Sequence, residues 1–253
     1  MVVEKVDTLV VGAGQAGIAA SEHLTNHGIQ HVVLERDRIA EKWRSARWDS
    51  LVSNGPAWHD RFPSRNFDDP NHDAFISKED VASYFIDYVG QIKAPVRCGI
   101  NVEHVTRIPG GTGFHVTTSA GNFEARHIIA ATGAFQDPVI PPLIPKCAPI
   151  NQMHSNEYRN PEQLPEGAVL LIGAGSSGAQ ISEELMNSGR KVYLSVGAHD
   201  RPPRRYRGRD FVWWLGVLGK WDMQTPALGS EHVTIAVSGA DGGKTVDFRR
   251  FAF

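Results

Sequence analysis

Cysteine is nearly absent from this chain: Cys98 and Cys147 are the only two, and neither belongs to a CxxC or to a metal-ligand spacing. A redox dithiol and a Cys/His zinc site are therefore excluded, and the two thiols read as unremarkable ones in a reducing cytosol. Long hydrophobic runs are missing too. No apolar stretch approaches the ~20 residues that a membrane helix needs, and the first apolar strand begins so soon after Met1 that no secretory leader fits. Charge of one sign is lacking as well. With a formal net charge of −2, nothing global draws the chain to nucleic acid or to anionic lipid. These absences point to a cytoplasmic protein without a membrane span, a nucleic-acid partner or a metal. At 253 residues and 41% hydrophobic content it can bury one large core or two modest ones.

What is present begins at once. Residues 7–37, DTLVVGAGQAGIAASEHLTNHGIQHVVLERD, open with a short β-branched run, Leu9 to Val11, that is stopped by glycine and reads as a buried parallel strand. Gly12, Gly14 and Gly17 follow in GxGxxG spacing, then a helix over Ile18 to Leu24 and a second strand, Val32 to Leu34, ending on Glu35. Gly12 allows the tight turn, Gly14 lets backbone approach a pyrophosphate, and Gly17 lets helix pack close to strand. The helix start offers unpaired N–H groups to phosphate. Glu35 stands where a carboxylate accepts hydrogen bonds from ribose hydroxyls.

Between Glu41 and Phe67, Trp43, Trp48 and Trp58 lie among Arg, Asp, Asn, Gly and Pro. This is an ordered loop, lying either over something flat or on its own aromatic anchors. Ser77 to Val89 reads as a helix whose apolar face is Val81, Tyr84, Phe85 and Tyr88. From Pro95 the texture is strands (VRCGINV, HVTRI, GFHVTTS, FEARHIIAATG), with hairpin turns at PGGTG and SAGN. The last of them, His127 to Ala131, is expected to return to the first sheet. Five prolines between Pro138 and Pro149 mark an extended connection.

Beyond it the pattern repeats. Ala168 to Ile172 is a strand, Gly173, Gly175 and Gly178 restate the fingerprint, Gln180 to Met186 continues as helix, and Lys191 to Val196 is the next strand. Two fingerprints imply an α/β protein with two dinucleotide-binding domains, 1–145 and 146–253. The ribose ends differ. The second strand here ends at Ser195 without an acid, and Arg201, Arg204, Arg205, Arg207 and Arg209 follow in one loop. Guanidinium groups pair bidentately with phosphate oxygens, so Arg201 with Arg204 or Arg205 suits the 2′-phosphate of NADPH. The apolar FVWWLGVLGKW, residues 211–221, reads as a packed helix with an exposed rim, ahead of a lid over a substrate channel or a membrane-surface helix.

Taken together, GAGQAG with Glu35, WRSARWDSL, IIAATGAFQDPVIP, HSNEYRNP, GAGSSGAQI and RPPRRYRGRD resemble the flavin-containing monooxygenase-like group of class B flavoproteins. The resemblance implies two Rossmann-like, three-layer ββα domains of the FAD/NAD(P)-binding flavoprotein type. It implies FAD on Gly12, Gly14, Gly17 and Glu35, with Trp43, Arg44 and Trp48 beside the flavin and Ala131, Thr132 and Gly133 as the turn near the cofactors. NADPH falls to Gly173, Gly175, Ser176, Ser177, Gly178 and Ser195, with Arg201, Arg204 and Arg205 at its phosphate. Asn54 matches an asparagine that contacts nicotinamide and serves as the catalytic candidate. His154 and Tyr158 resemble the end of a Baeyer–Villiger fingerprint whose earlier positions are here Ala148 and Ile150, which breaks it. The implied chemistry is hydride transfer to flavin, then a C4a-(hydro)peroxyflavin that passes one oxygen atom of O2 to a small-molecule substrate.

Two other readings stand beside it: an NADPH–flavin oxidoreductase without oxygen transfer, and an inactive truncated nucleotide-binding module. The group's late Gly-Asp segment has no counterpart before the chain stops at TVDFRRFAF. A C-terminally truncated member is therefore expected, with weak FAD retention and an open sheet edge met by a second copy or a complementing chain.

Overall fold

A computed structural model describes residues 3–67, 71–145, 147–224 and 234–251. The chain divides into two units: Met1–Ala46, Arg61–Phe67 and Glu79–Ile150 form the first, and Arg47–Asp60, Asp68–Lys78 and Asn151–Phe253 form the second.

In the first unit the opening run forms β1 (Val3–Val11), α1 (Gln15–Asn26) and β2 (His31–Leu34), with β1 and β2 parallel and Leu9 paired to Val32. A short helix, α2 (Glu41–Ser45), follows, and later α3 (Lys78–Ile92). Then come β3 (Val96–Arg97), β4 (Val102–Arg107), β5 (Phe114–Thr118) and β6 (Gly121–Ala130), completing a six-stranded sheet in the order β3-β2-β1-β6-β5-β4. The first four in that order run parallel, and β5 and β4 return antiparallel. His127 pairs with Thr8 and Ala130 with Val11, so the apolar strand before the Ala-Thr-Gly turn does return to the first sheet. The strand expected over VRCGINV stops at Arg97. Gly99 takes φ +77°, and the chain turns so that Ile100 N–H donates to the Glu35 carbonyl at 3.0 Å.

Side-chain alternation then builds three layers. Leu9, Val32 and Leu34 meet Val116, Phe123 and Ala125 of the β5–β6 hairpin in one buried cluster. Each of the larger side chains there stabilises the fold by about 1.5–3 kcal/mol. Val10 and Val33, also fully buried, point the other way, toward Ile18 and the buried face of α1. On α3, Val81, Tyr84, Phe85 and Tyr88 are buried as their spacing predicts. Phe62 stacks on Tyr88 at 4.2 Å between centroids, and the Tyr88 hydroxyl donates to the Glu22 carboxylate of α1. That bond satisfies a buried phenol and a buried acid at once.

The second unit repeats the opening with β7 (Val169–Ile172), α4 (Ser176–Asn187) and β8 (Val192–Ser195), again parallel. Among the described residues these two strands form a sheet of their own. Leu170, Ile172 and Tyr193 alternate outward and are each more than half exposed, at 56%, 54% and 51%. Next come β9 (His199–Asp200), the hairpin β10 (Arg205–Tyr206) and β11 (Arg209–Asp210), α5 (Phe211–Val217), and β12 (Thr234–Ile235), which pairs parallel with β9. Asp210 caps α5, its Oδ1 accepting from Val212 N–H at 2.9 Å. The tryptophan-rich loop is tied down by its aromatics: Trp48 is 5% exposed, Trp58 Nε1 donates to Asp73 at 3.2 Å, and His59 stacks on Trp221. Among the described residues no helix is long and apolar enough to cross a membrane.

Candidate functional site

The first glycine turn is set by sterics. Gly12 has φ +102°, where an L side chain is strained, and a Cβ there would lie 2.6 Å from the Ala131 carbonyl oxygen. A Cβ on Gly17 would lie 1.9 Å from the Gly12 carbonyl oxygen, so α1 can approach the strand only with glycine at that point. Gly14 differs. Its backbone is extended at φ −80°, ψ −172°, and nothing lies within 4 Å of an added Cβ. That open space sits at the N-terminus of α1, where N–H groups and the helix dipole favour phosphate. Beside it the Glu35 carboxylate accepts from Ala13 N–H at 2.8 Å and from Asp37 N–H at 2.9 Å. Each oxygen keeps a lone pair for a ribose hydroxyl. The cradle, the helix end and the held carboxylate fit the adenosine diphosphate part of FAD. Burial pushes the neighbouring Cys98 thiol above its usual value, and the Glu35 charge adds to the shift. Ala131 N–H donates to Val11 at 2.9 Å and closes the turn, and Thr132 and Gly133 are exposed beyond it. Trp43 is half-buried and Arg44 exposed on α2 in this unit, whereas Trp48 belongs to the second.

The second turn copies the first closely. Gly173 has φ +106°, a Cβ on Gly178 would lie 1.9 Å from the Gly173 carbonyl oxygen, and Gly175 is extended at φ −70°, ψ −174° as Gly14 is. Gly12 N–H donates to Leu34 and Gly173 N–H to Ser195, which makes Val196 the counterpart of Glu35. No carboxylate stands at the second ribose position. Ser177 is exposed at the start of α4. Ser176 is engaged: its Oγ donates to the Ile235 carbonyl at 3.3 Å and accepts from Val237 N–H at 3.1 Å.

The arginine loop divides. Arg201 and Arg205 are exposed, with the Arg201 guanidinium 4.8 Å from the Phe248 ring centre. Arg204 corrects the sequence reading. Its side chain is 2% exposed, its Nε donates to Asp210 at 2.8 Å, and its guanidinium lies 4.4 Å and 5.0 Å from the rings of Phe75 and Phe211. Burial lowers its pKa below the usual arginine value, against the pull of Asp210. Buried against Asp210 and two rings, this guanidinium is set apart from the exposed Arg201 and Arg205.

Two residues near Arg201 escaped the sequence reading. His199 and Arg249 line a cavity of ≈ 420 Å³ with Arg201, Thr245, Val246 and Asp247. His199 Nδ1 faces the Gly197 carbonyl at 2.7 Å, which leaves Nε2 for another partner. Arg249 holds the Asp247 carboxyl down to about 2. Position after a strand tip was the only signal available for His199, and a histidine there has no distinctive spacing.

Asn54 is exposed in the second unit, its Oδ1 accepting from Gln180 Nε2 at 2.8 Å. His154 is occupied locally, accepting at Nδ1 from Asn156 N–H at 3.2 Å, while Tyr158 donates to Glu184 at 2.6 Å.

Against known proteins, the family model for pyridine nucleotide-disulphide oxidoreductases matches residues 9–210. An uncharacterised CzcO-like oxidoreductase of Geobacillus kaustophilus is 39% identical over 85% of this chain and 61% of its own length. The probable indole-3-pyruvate monooxygenase YUCCA1 of Arabidopsis thaliana is 30% identical over 74% of this chain and 46% of its own. A mutant flavin monooxygenase from Stenotrophomonas maltophilia superimposes with a TM-score of 0.71 at 25% identity, over 84% of this chain and 63% of that one. The chain thus spans about 61% of the length of the CzcO-type relatives. With its fold that of the flavin monooxygenases and the match covering both glycine turns, the chain belongs to the pyridine nucleotide-disulphide oxidoreductase family.

Proposed function

We propose that this chain is the nucleotide-binding part of an FAD-dependent oxidoreductase that draws electrons from NADPH and, as a monooxygenase, uses O2 on a small-molecule substrate. One observation carries the reading: two glycine turns of the same geometry end differently, the first on Glu35 and the second on Val196 followed by Arg201 and Arg205. A carboxylate favours unmodified ribose hydroxyls and repels a 2′-phosphate, while guanidinium groups attract one. The names of the similar proteins, a flavin monooxygenase and an indole-3-pyruvate monooxygenase, support oxygen transfer over thiol chemistry. So does the lack of a CxxC.

On this reading the protein's share is placement. Backbone at Gly14 and Gly175 and the first turns of α1 and α4 would receive the two pyrophosphates. Glu35 would orient the ribose of FAD, with Trp43 and Arg44 along the flavin and Ala131, Thr132 and Gly133 closing the turn. Ser177, Arg201, Arg205 and His199 would hold NADPH, and Asn54 would donate to it. When bound, FAD would accept hydride from NADPH and, once reduced, react with O2.

The test is flavin titration followed by anaerobic mixing with NADPH or NADH. Saturable FAD binding, and bleaching that is faster with NADPH and loses that preference in R201A/R205A, are expected. No FAD binding, or equal bleaching by both nucleotides unchanged in the variant, would overturn the reading. Under air, peroxide release matching every NADPH consumed with each substrate tried would remove the monooxygenase part.

A further inference from the structure

Gln180, on α4, is 9% exposed, and its Nε2 donates twice: to the Val237 carbonyl at 2.9 Å and to Asn54 Oδ1 at 2.8 Å. The two ends of an amide side chain have nearly the same shape, so partners decide which end goes where. A backbone carbonyl only accepts. The end of Gln180 that faces Val237 must therefore be its nitrogen. That same nitrogen faces Asn54, so Asn54 must answer with its oxygen, and its own NH2 group is left to the exposed side of the residue.

The carbonyl that sets this polarity is itself fixed. Val237 N–H donates to Ser176 Oγ at 3.1 Å, Ser176 Oγ donates to Ile235, and Ala236 N–H donates to the Asp200 carbonyl at 2.9 Å. The backbone of Asn54 is held from the other side. Arg204 Nη1 donates to the Asn54 carbonyl at 2.8 Å and to the Ser238 carbonyl at 3.3 Å. Close packing enforces the join, since a Cβ on Gly239 would lie 2.0 Å from the Ser53 carbonyl oxygen. Side chain and main chain of Asn54 are thus tied by different groups.

We infer that Gln180 is a positioning residue that holds Asn54 as a hydrogen-bond donor toward the nucleotide at α4, and that Arg204 secures the Asn54 backbone rather than a phosphate. The inference rests on the assignment of NADPH to the second glycine turn. A glutamate at position 180 has the same shape but accepts only. It would repel the Val237 carbonyl and draw the Asn54 NH2 inward, which removes the donor. Asn54→Asp leaves the acceptor for Gln180 in place and has nothing to donate.

The experiment has two arms on the whole chain. In the nucleotide-free protein, the Asn54 side-chain amide is followed by NMR, assigned by its loss in N54D. Q180E should shift that resonance, and an unchanged one overturns the orientation. In the second arm NADP+ is titrated against each variant. N54A, N54D and Q180E should each bind about tenfold more weakly, N54A/Q180E should be no weaker than N54A, and NADP+ should move the wild-type Asn54 amide. A full Q180E loss on the N54A background would show a merely structural glutamine and overturn the inference, as would saturation that leaves the Asn54 amide unmoved. Failure of the wild type to bind NADP+ sinks the nucleotide assignment instead, while the first arm still decides the orientation of Asn54.

Discussion

Gly17 and Gly12 pack so closely that a methyl carbon on the former would sit 1.9 Å from the carbonyl oxygen of the latter, and Gly178 and Gly173 repeat the distance. Gly14 stands within the first of these turns and faces nothing within 4 Å. The glycines of one motif therefore answer to different demands, chain packing at the ends and ligand approach in the middle.

The first prediction separates those demands. Gly17→Ala forces backbone against backbone and should cost about 3 kcal/mol or more. Gly14→Ala places a methyl in open space on extended backbone, so its melting temperature should match the wild type while FAD affinity falls. Melting curves and a flavin titration on the two variants check both halves.

Arg204 and its neighbours should part in the same way. Removing Arg204 leaves Asp210 buried without its cation, a loss of about 3–5 kcal/mol. R201A and R205A take away exposed guanidinium groups and should leave stability within about 0.5 kcal/mol while weakening NADP+ binding and sparing NAD+. Urea unfolding with parallel nucleotide titrations reads both.

Acid should undo one tie in the second unit. Asp49 accepts from Asn160 at 2.7 Å and from the buried Lys78 ammonium at 3.1 Å, and these hold its pKa below the ordinary 3.8. A depressed carboxylate contributes stability above its unfolded pKa and loses it as pH falls through the folded one. Wild type should melt above D49N at neutral pH, and the two curves should converge below ~pH 3. Melting against pH is the check.

Cys98 reports on Glu35. Its thiol is raised first by burial and then by that carboxylate, so at about pH 8 E35Q should alkylate faster at Cys98 than the wild type does. Cys147, exposed and elsewhere in the first unit, serves as the internal control in a mass-spectrometric time course.

Both glycine turns, the strands and helices around them and the aromatic face of α3 were legible because each depends on residues a few positions apart. The returning strand at His127 was legible from its apolar run and its glycine stop. Arg204 was not. In sequence it is one of several similar arginines, and its burial depends on Asp210 in the next hairpin and on Phe75, far back in the chain. The hold of Gln180 on Asn54 is likewise long-range, and it needs the carbonyl of Val237. Gly99 broke an expected strand because its turn serves the carbonyl of Glu35 rather than a ladder. Local chemistry is written in neighbouring letters, whereas the partner of a buried charge is chosen by the fold.

The outward row of Leu170, Ile172 and Tyr193 on β7 and β8 has a colloidal consequence. Sulfate is excluded from protein surface and penalises apolar area most strongly. The chain should therefore salt out early with ammonium sulfate, and a mild non-ionic detergent that coats the row should keep it dispersed without altering nucleotide binding. L170K/I172T should raise the precipitation threshold, since it takes two exposed apolar side chains out of that row.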